Sequence, residues 1–161
     1  MRTNLYWVET GVAGRLATMA RPRAGDWLED EMRGLKTAGV DVVVSLLTHD
    51  EVSELGLEGE QRACEQVGVR FRSFPIPDRE LPPSTIATKT FIAALQTELV
   101  SGSSVAIHCR MGIGRASLVA ASVLRMQGIG GTDALARIAA ARGLPVPDTD
   151  EQRQWVIDFE P

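Results

Sequence analysis

The chain has 161 residues, of which 44% are hydrophobic and 24% charged, and its formal net charge at pH 7 is −4. This size and composition suit a single globular domain, taken as residues 1–161, with enough apolar side chains for a full core. The acidic balance argues against nucleic acid as the main partner, and no apolar stretch reaches the roughly 18 residues that a membrane span needs.

The first half of the chain alternates apolar runs with amphipathic helical patterns. Asp26 and Glu29 are expected to cap the first helix, and Trp27 and Leu28 to face inward. Residues 40–47 form a nearly unbroken apolar run, which is typical of a strand buried in a parallel sheet. The predicted elements are strands at 5–8 and 15–19, a helix from 26 that Gly39 ends, a strand at 40–47, a helix at 58–67 and a strand at 69–74.

Four prolines between residues 75 and 83 predict an irregular loop in the middle of the chain. After it we predict a helix at 84–100, a strand from 105 into His108, and helices at 115–127, 132–142 and 149–159. Strands that alternate with helices imply an α/β fold. We therefore expect a mostly parallel central sheet flanked by helices on both faces, with a ligand at the carboxyl ends of its strands.

Residues 108–117, HCRMGIGRAS, lie where the last predicted strand ends and the next helix begins. Backbone N–H groups are unpaired at a helix N-terminus and the helix dipole is positive there, so this position binds anions such as phosphate. Glycines allow the backbone to approach such a ligand closely. The residues expected to hold a phosphate are Arg110, Met111, Gly112, Ile113, Gly114 and Arg115.

Cys109 and Arg115 bring reactive groups to this loop. The field that binds an anion also favours the thiolate form of a cysteine, which is the nucleophilic form. The planar guanidinium of Arg115 can hold two phosphoryl oxygens and take up charge that develops in a transition state. The predicted reaction is attack of the Cys109 sulfur on a phosphate ester, which gives a phosphocysteine that water then hydrolyses.

His108, Cys109, five further residues and Arg115 resemble the signature of the cysteine-dependent protein phosphatases. Stretches at 14–17, 75–78 and 148–152 extend the resemblance over nearly the whole chain, toward the compact atypical dual-specificity members. The resemblance implies a protein tyrosine phosphatase-like fold, and a supporting role for His108 in orienting the loop and tuning the thiol. Two histidines and two separated cysteines show no zinc spacing, so we expect no metal and no cofactor.

A cysteine phosphatase needs a proton donor for the leaving oxygen, on a loop beside the phosphate site. Asp78 in the proline loop is the candidate, because the resembled family carries its general acid on such a loop upstream of the cysteine. Glu80, two residues further on, is the alternative donor. Without the Cys109 signature, Asp78 would be read as a turn-forming aspartate after a proline.

Two positions depart from the family pattern. The family usually has Ser or Thr directly after the arginine, where its hydroxyl helps the thiolate to leave, whereas this chain has Ala116. Ser117 follows one position later, but a helix turns about 100° per residue, so we expect slow hydrolysis of the intermediate. Classical tyrosine phosphatases carry a water-positioning glutamine where this chain has Asp148. Gln152 is the substitute candidate, although Thr149 and Gln152 also form a capping-box pattern.

The resemblance implies a phosphoprotein phosphatase for phosphotyrosine, with phosphoserine and phosphothreonine also open. The alternatives are a phosphate-binding module with little turnover, and a phosphatase for phosphoinositides, inositol phosphates or RNA 5′-triphosphates. Polyanionic substrates would favour several cations in the loop, and Arg110 is the only one between Cys109 and Arg115. We expect a cytoplasmic monomer whose partners are a phosphorylated protein or peptide and an oxyanion in the loop, without nucleic acid or membrane.

Overall fold

The central feature of the computed structural model, which describes residues 3–83 and 85–161, is a five-stranded sheet in the order β1-β2-β5-β3-β4. Its first strand is antiparallel to the second, and the remaining pairs are parallel. The strands are β1 (Tyr6–Val8), β2 (Leu16–Met19), β3 (Val42–Ser45), β4 (Arg70–Ser73) and β5 (Val105–His108). This topology confirms the predicted α/β fold with a mostly parallel sheet.

Helices cover both faces of the sheet. They are α1 (Leu28–Thr37), α2 (His49–Leu55), α3 (Glu60–Gln66), α4 (Thr85–Val100), α5 (Arg115–Met126), α6 (Gly131–Arg142) and α7 (Asp150–Asp158). Within the described ranges, no helix combines the length and the apolar character that crossing a membrane requires. The predicted start of the fourth helix at Ser84 lies outside the described residues.

Alternate side chains of the central strands enter two separate apolar clusters. Val42 and Val44 of β3 face one cluster with α4, α5, α6 and α7, whereas Val43 faces the other cluster with α1 and α3. Because the strand is covered on both faces, every one of its residues is buried, which explains the unbroken apolar run in the sequence. The first ten residues of α5 are buried as well, since this helix packs between the sheet and its neighbouring helices.

The start of the first helix differs from the prediction. Gly25–Trp27 form a short 3₁₀ turn, α1 begins at Leu28, and no side chain caps it, so the capping role predicted for Asp26 and Glu29 is wrong. Trp27 is 57% exposed rather than inward-facing. Its ring instead stacks under the guanidinium of Arg23, whose central carbon lies 4.6 Å from the ring centroid.

Helix α2 was not predicted from the sequence. It begins with a complete capping box, in which the Thr48 side chain accepts from the Glu51 backbone and the Glu51 side chain accepts from the Thr48 backbone. Seven residues are too few to show a clear amphipathic period. The sequence therefore predicted only the strand that precedes this helix. This helix contributes to the candidate site, because its Glu51 accepts a hydrogen bond from Arg115 of the predicted phosphate loop.

Candidate active site

The carboxyl end of β5 leads into the predicted phosphate loop. Cys109 follows the last residue of the strand and is 3% exposed, and α5 begins at Arg115 with Gly114 at its N-cap. Gly112 has a φ of +73°, and a Cβ there would lie 2.6 Å from the carbonyl carbon and oxygen of Met19. Only glycine therefore allows the loop to pack this closely against the end of β2.

A pocket of about 170 Å³ lies over this loop. It brings together Cys109, Arg115 and Asp78, which come from the strand end, the helix start and the proline loop. The pocket is also lined by Arg79, Arg110, Met111, Ile113, Gly114 and Asp148. A cysteine, a guanidinium and a carboxyl group that face one small concave site at a helix N-terminus can bind and attack a phosphoryl group.

Arg115 is held rigidly although it is charged and only 1% exposed. Its Nη1 donates to Glu51 Oε1 at 2.7 Å and to the Ile76 carbonyl at 2.9 Å, and its Nη2 donates to Glu51 Oε2 at 2.9 Å. This two-pronged pairing with a carboxylate fixes the plane of the guanidinium. Arg115 is thus oriented before any ligand arrives.

The pairing shifts the acid–base equilibria of both side chains. Burial alone would raise the pKa of Glu51, but hydrogen bonds from Arg115 and from Thr48 outweigh it and hold that pKa at about 2. Burial would lower the pKa of Arg115, yet the hydrogen bond to Glu51 and the neighbouring negative groups raise it. Both groups are therefore charged over the whole physiological range.

Asp78 reaches the pocket from the loop after β4. Its Oδ1 lies 3.1 Å from Nη2 of Arg115, and its side chain is 52% exposed. The loop is anchored just before it, because the Ile76 backbone N–H donates to the Leu46 carbonyl at 3.0 Å. Glu80 is exposed and does not line the pocket, so of the two predicted proton donors the geometry favours Asp78.

His108 is completely buried between the loop and α3. Its Nδ1 lies 3.2 Å from the Cys109 carbonyl oxygen, and its Nε2 lies 2.6 Å from Glu60 Oε2. A carbonyl oxygen can only accept, so Nδ1 donates to it, and a second hydrogen bond joins Nε2 to the Glu60 carboxyl group. These two contacts hold the backbone on the carbonyl side of Cys109, and the supporting role of His108 stays a prediction.

Ser117 and Gln152 lie outside the pocket lining. Ser117 is fully buried in α5, and its hydroxyl finds no hydrogen-bond partner within residues 3–83 and 85–161. Gln152 is also fully buried, and its Oε1 accepts from the backbone N–H groups of Asp148 and Thr149. The capping box of Thr149 and Gln152 is thereby confirmed, and it shapes the turn that brings Asp148 to the pocket.

Arg110 contributes less free charge than its place in the loop suggested. Its guanidinium lies 3.4 Å from Glu51 and 3.3 Å from Glu54, both on α2. Asp148 adds a carboxylate to the pocket lining, packed where a Cβ on Gly114 would stand. Besides Arg115, the charge available for a second phosphate group therefore comes mainly from the exposed guanidinium of Arg79.

The sequence interpretation missed two acidic side chains around the site, and it named a third, Asp148, only as a departure from the family pattern. Glu51 orients Arg115, Glu60 pairs with His108, and Asp148 lines the pocket. The pattern Thr48-x-x-Glu51 is a capping-box signature and was a usable signal for the first. Glu60 carried no local signal, since its partner lies 48 positions along the chain.

The comparisons with known proteins agree with this geometry. The family model for polymorphic toxin system DSP-PTPase phosphatases matches residues 17–129. No curated protein matches the sequence significantly.

Kinase associated phosphatase, solved with its catalytic cysteine replaced by serine, is 20% identical with a TM-score of 0.86, over 99% of this chain and 94% of that one. Tk-PTP in its active form is 27% identical, with a TM-score of 0.69 over 88% of each chain. PTPMT1 in complex with PI(5)P is 16% identical, with a TM-score of 0.73 over 95% and 94% of the two chains.

Proposed function

Because the chain belongs to the DSP-PTPase phosphatase family of polymorphic toxin systems, we propose that it hydrolyses phosphoproteins through a phosphocysteine intermediate at Cys109. The observation that carries the proposal is the meeting of Cys109, Arg115 and Asp78 in one pocket at the N-terminus of α5. The family supports phosphomonoester chemistry in general. The choice of a phosphoprotein substrate and the role of each residue are our inference.

In the first step, the Cys109 thiolate attacks phosphorus and the bond to the leaving oxygen breaks. The backbone N–H groups of the loop and the guanidinium of Arg115 hold the phosphoryl oxygens as their charge redistributes. A phosphoryl group bound to Nη2 of Arg115 competes with Asp78, whose Oδ1 lies 3.1 Å from that atom. Once displaced from Arg115, the Asp78 carboxylate, which is 52% exposed, takes a proton from solvent and donates it to the leaving oxygen.

In the second step, water attacks the phosphocysteine and Asp78 takes the proton that the water loses. The phosphorus–sulfur bond breaks and Cys109 leaves as a thiolate, which returns the enzyme to its starting state. Ala116 is buried next to Arg115 and offers no hydroxyl to the departing sulfur. We infer that this second step limits turnover.

The charges around the pocket favour a single phosphate group over a polyanion. Arg110 is already paired with Glu51 and Glu54, and Asp148 places a carboxylate in the lining. A second phosphate on an inositol ring, or a triphosphate chain, would meet this carboxylate as well as the exposed guanidinium of Arg79. These features support phosphorylated protein side chains as substrates, phosphotyrosine first.

The second candidate function is a phosphate-binding module with little turnover. It is favoured by Ala116 and by the buried hydroxyl of Ser117, since neither residue offers the departing thiolate a hydrogen bond at the pocket surface. Under this alternative the phosphocysteine would form and persist.

Hydrolysis of p-nitrophenyl phosphate and of a phosphotyrosine peptide by wild type, Cys109→Ser and Asp78→Asn tests the proposal. We expect wild type to turn over both, Cys109→Ser to bind inorganic phosphate without turnover, and Asp78→Asn to lose most activity on the peptide, whose leaving group is poorer. A wild type that forms one equivalent of phosphocysteine and stops would support the binding module. A wild type that shows neither reaction would overturn the proposed hydrolysis, and one that also fails to bind inorganic phosphate would overturn both.

A further inference from the structure

A second concave surface lies beside the pocket, between the start of α4 and the end of α7. It is a groove of about 690 Å³, roughly four times the volume of the phosphate pocket. Trp155 and Phe159 line it with their rings tilted by 33° and the ring centroids 5.4 Å apart. Leu81 and Ile86 also line it and are 38% and 81% exposed.

The groove places exposed aliphatic side chains next to aromatic rings. Ile86 is the most exposed large hydrophobic side chain within residues 3–83 and 85–161, and it stands next to aromatic rings. Contiguous apolar surface with a polar rim is typical of an interaction site. The groove therefore has the composition of a place where a partner side chain is buried.

Two segments of the chain contribute residues to both the groove and the phosphate pocket. Asp78 lines the pocket and Leu81 lines the groove, while Asp148 lines the pocket and Glu151 lines the groove. Three residue steps of a trans chain span at most about 11 Å. The near wall of the groove is therefore within about 11 Å of the pocket lining, a distance that an extended peptide covers in about three or four residues.

The charges of the groove select one kind of occupant. Its rim carries the carboxylates of Glu151, Asp158 and Glu160, against the single ammonium of Lys89. The carboxylates are exposed, so they can pair with cations of a partner without first leaving a buried contact. An apolar side chain flanked by lysine or arginine matches both the apolar lining and the rim.

We propose that this groove docks the substrate, by binding a bulky apolar residue next to a basic residue, about three or four positions from the phosphorylated side chain. The proposal rests on the proposed function, because it assigns the groove to the same phosphoprotein. It predicts selectivity among phosphoproteins that the small phosphate pocket cannot provide. The groove binds substrate and takes no part in the chemical steps.

The test compares phosphotyrosine peptides that differ only in the docking residues. One peptide carries Leu-Arg-Lys beginning three residues after the phosphotyrosine, a second carries the mirror arrangement before it, and a third has Ser-Glu-Glu at both places. Full burial of one leucine stabilises a complex enough for at least a tenfold preference. We expect one of the first two peptides to show about a tenfold higher kcat/KM than the third, through a lower KM.

Two variants are designed to weaken peptide binding in the groove while the residues of the phosphate pocket stay unchanged. Ile86→Asp places a charge on the apolar lining in the first turn of α4, where an acidic residue suits the helix dipole, and Glu160→Lys reverses one rim charge. Val100→Asp, at an exposed apolar position at the other end of the same helix, and Glu58→Lys, at an exposed position away from the groove, are the matched controls. Both groove variants should lose the peptide preference, and both controls should keep it.

Hydrolysis of p-nitrophenyl phosphate separates the two levels of inference, because this substrate is too small to reach the groove. Equal rates on it for all five proteins, with the peptide preference lost only in the groove variants, support the docking site. Equal kcat/KM for the three peptides in an active wild type overturns it. The docking site is also overturned if wild type is a dimer in analytical ultracentrifugation and Ile86→Asp is a monomer. That result would show that a second copy of the chain occupies the groove. Wild type without p-nitrophenyl phosphate hydrolysis overturns the proposed function instead.

Discussion

Replacement of Glu51 by glutamine tests whether α2 holds the phosphate-binding guanidinium in place. The carboxylate receives two hydrogen bonds from Arg115, at 2.7 and 2.9 Å, and others from the backbone and hydroxyl of Thr48. An amide has one acceptor oxygen and places an NH₂ group where the second oxygen accepted. Glu51→Gln therefore removes the compensating charge and sets two donors against each other, while it preserves the size of the side chain.

The pKa of Glu51 gives the size of the effect. It is lowered from 4.5 to about 2 in the folded state, which at 1.36 kcal/mol per unit corresponds to about 3 kcal/mol of stability at neutral pH. For a chain of this length, such a loss lowers Tm by roughly 6–12 °C. Because the folded-state pKa is the lower one, this stability is present above pH 4.5 and is lost as pH falls toward 2.

Urea unfolding at several pH values measures this contribution directly. We expect the difference in unfolding free energy between wild type and Glu51→Gln to be about 3 kcal/mol at pH 7 and to narrow by about 2 kcal/mol by pH 3. Glu54→Gln is the matched control, because Glu54 lies on the same helix, is exposed and pairs with Arg110 rather than with Arg115. Its effect should stay within about 0.5 kcal/mol.

Catalysis should respond more strongly than stability. A guanidinium that shifts by about 1 Å costs on the order of a hundredfold in rate, so we expect kcat/KM of Glu51→Gln on p-nitrophenyl phosphate to fall about that much, and that of Glu54→Gln to change little. A Glu51→Gln protein with the stability and activity of wild type would refute the assignment of Glu51 as the residue that orients Arg115. A difference that does not narrow at low pH would refute the pKa argument.

Three further substitutions test the surroundings of the pocket. Glu60→Gln weakens the buried contact with His108 and should cost about 3 kcal/mol of unfolding free energy, which an unchanged urea midpoint would contradict. Asp148→Asn removes a negative charge from the pocket lining, so inorganic phosphate should inhibit about two- to fivefold more tightly, and an equal inhibition constant would argue against that carboxylate repelling the ligand. Ala116→Ser restores a hydroxyl beside Arg115, so hydrolysis of the phosphocysteine should become faster. The initial burst of p-nitrophenol should then shrink, and the steady-state rate should rise about threefold or more. Identical time courses for the two proteins would show that hydrolysis of the intermediate does not limit turnover.

The fold and the phosphate loop were predictable because their signals are local. The apolar run at 40–47 identifies a buried strand, and the stretch from His108 to Ser117 holds strand end, glycines and helix start in ten consecutive residues. The errors came where local signals are weak. Helix α2 is only seven residues long, and Trp27 faces solvent because Arg23 stacks on it.

The amino-acid sequence by itself determined the α/β fold, the family and the placement of Cys109 at the start of an anion-binding loop. Only the tertiary structure decided that Glu51 grips Arg115 across 64 positions, that Glu60 pairs with His108 across 48, and that Asp78 rather than Glu80 lines the pocket. The reason is physical. A strand, a glycine turn and a helix start depend on neighbours along the chain, whereas the partner of a buried charge depends on which distant segments the sheet topology brings to the same edge.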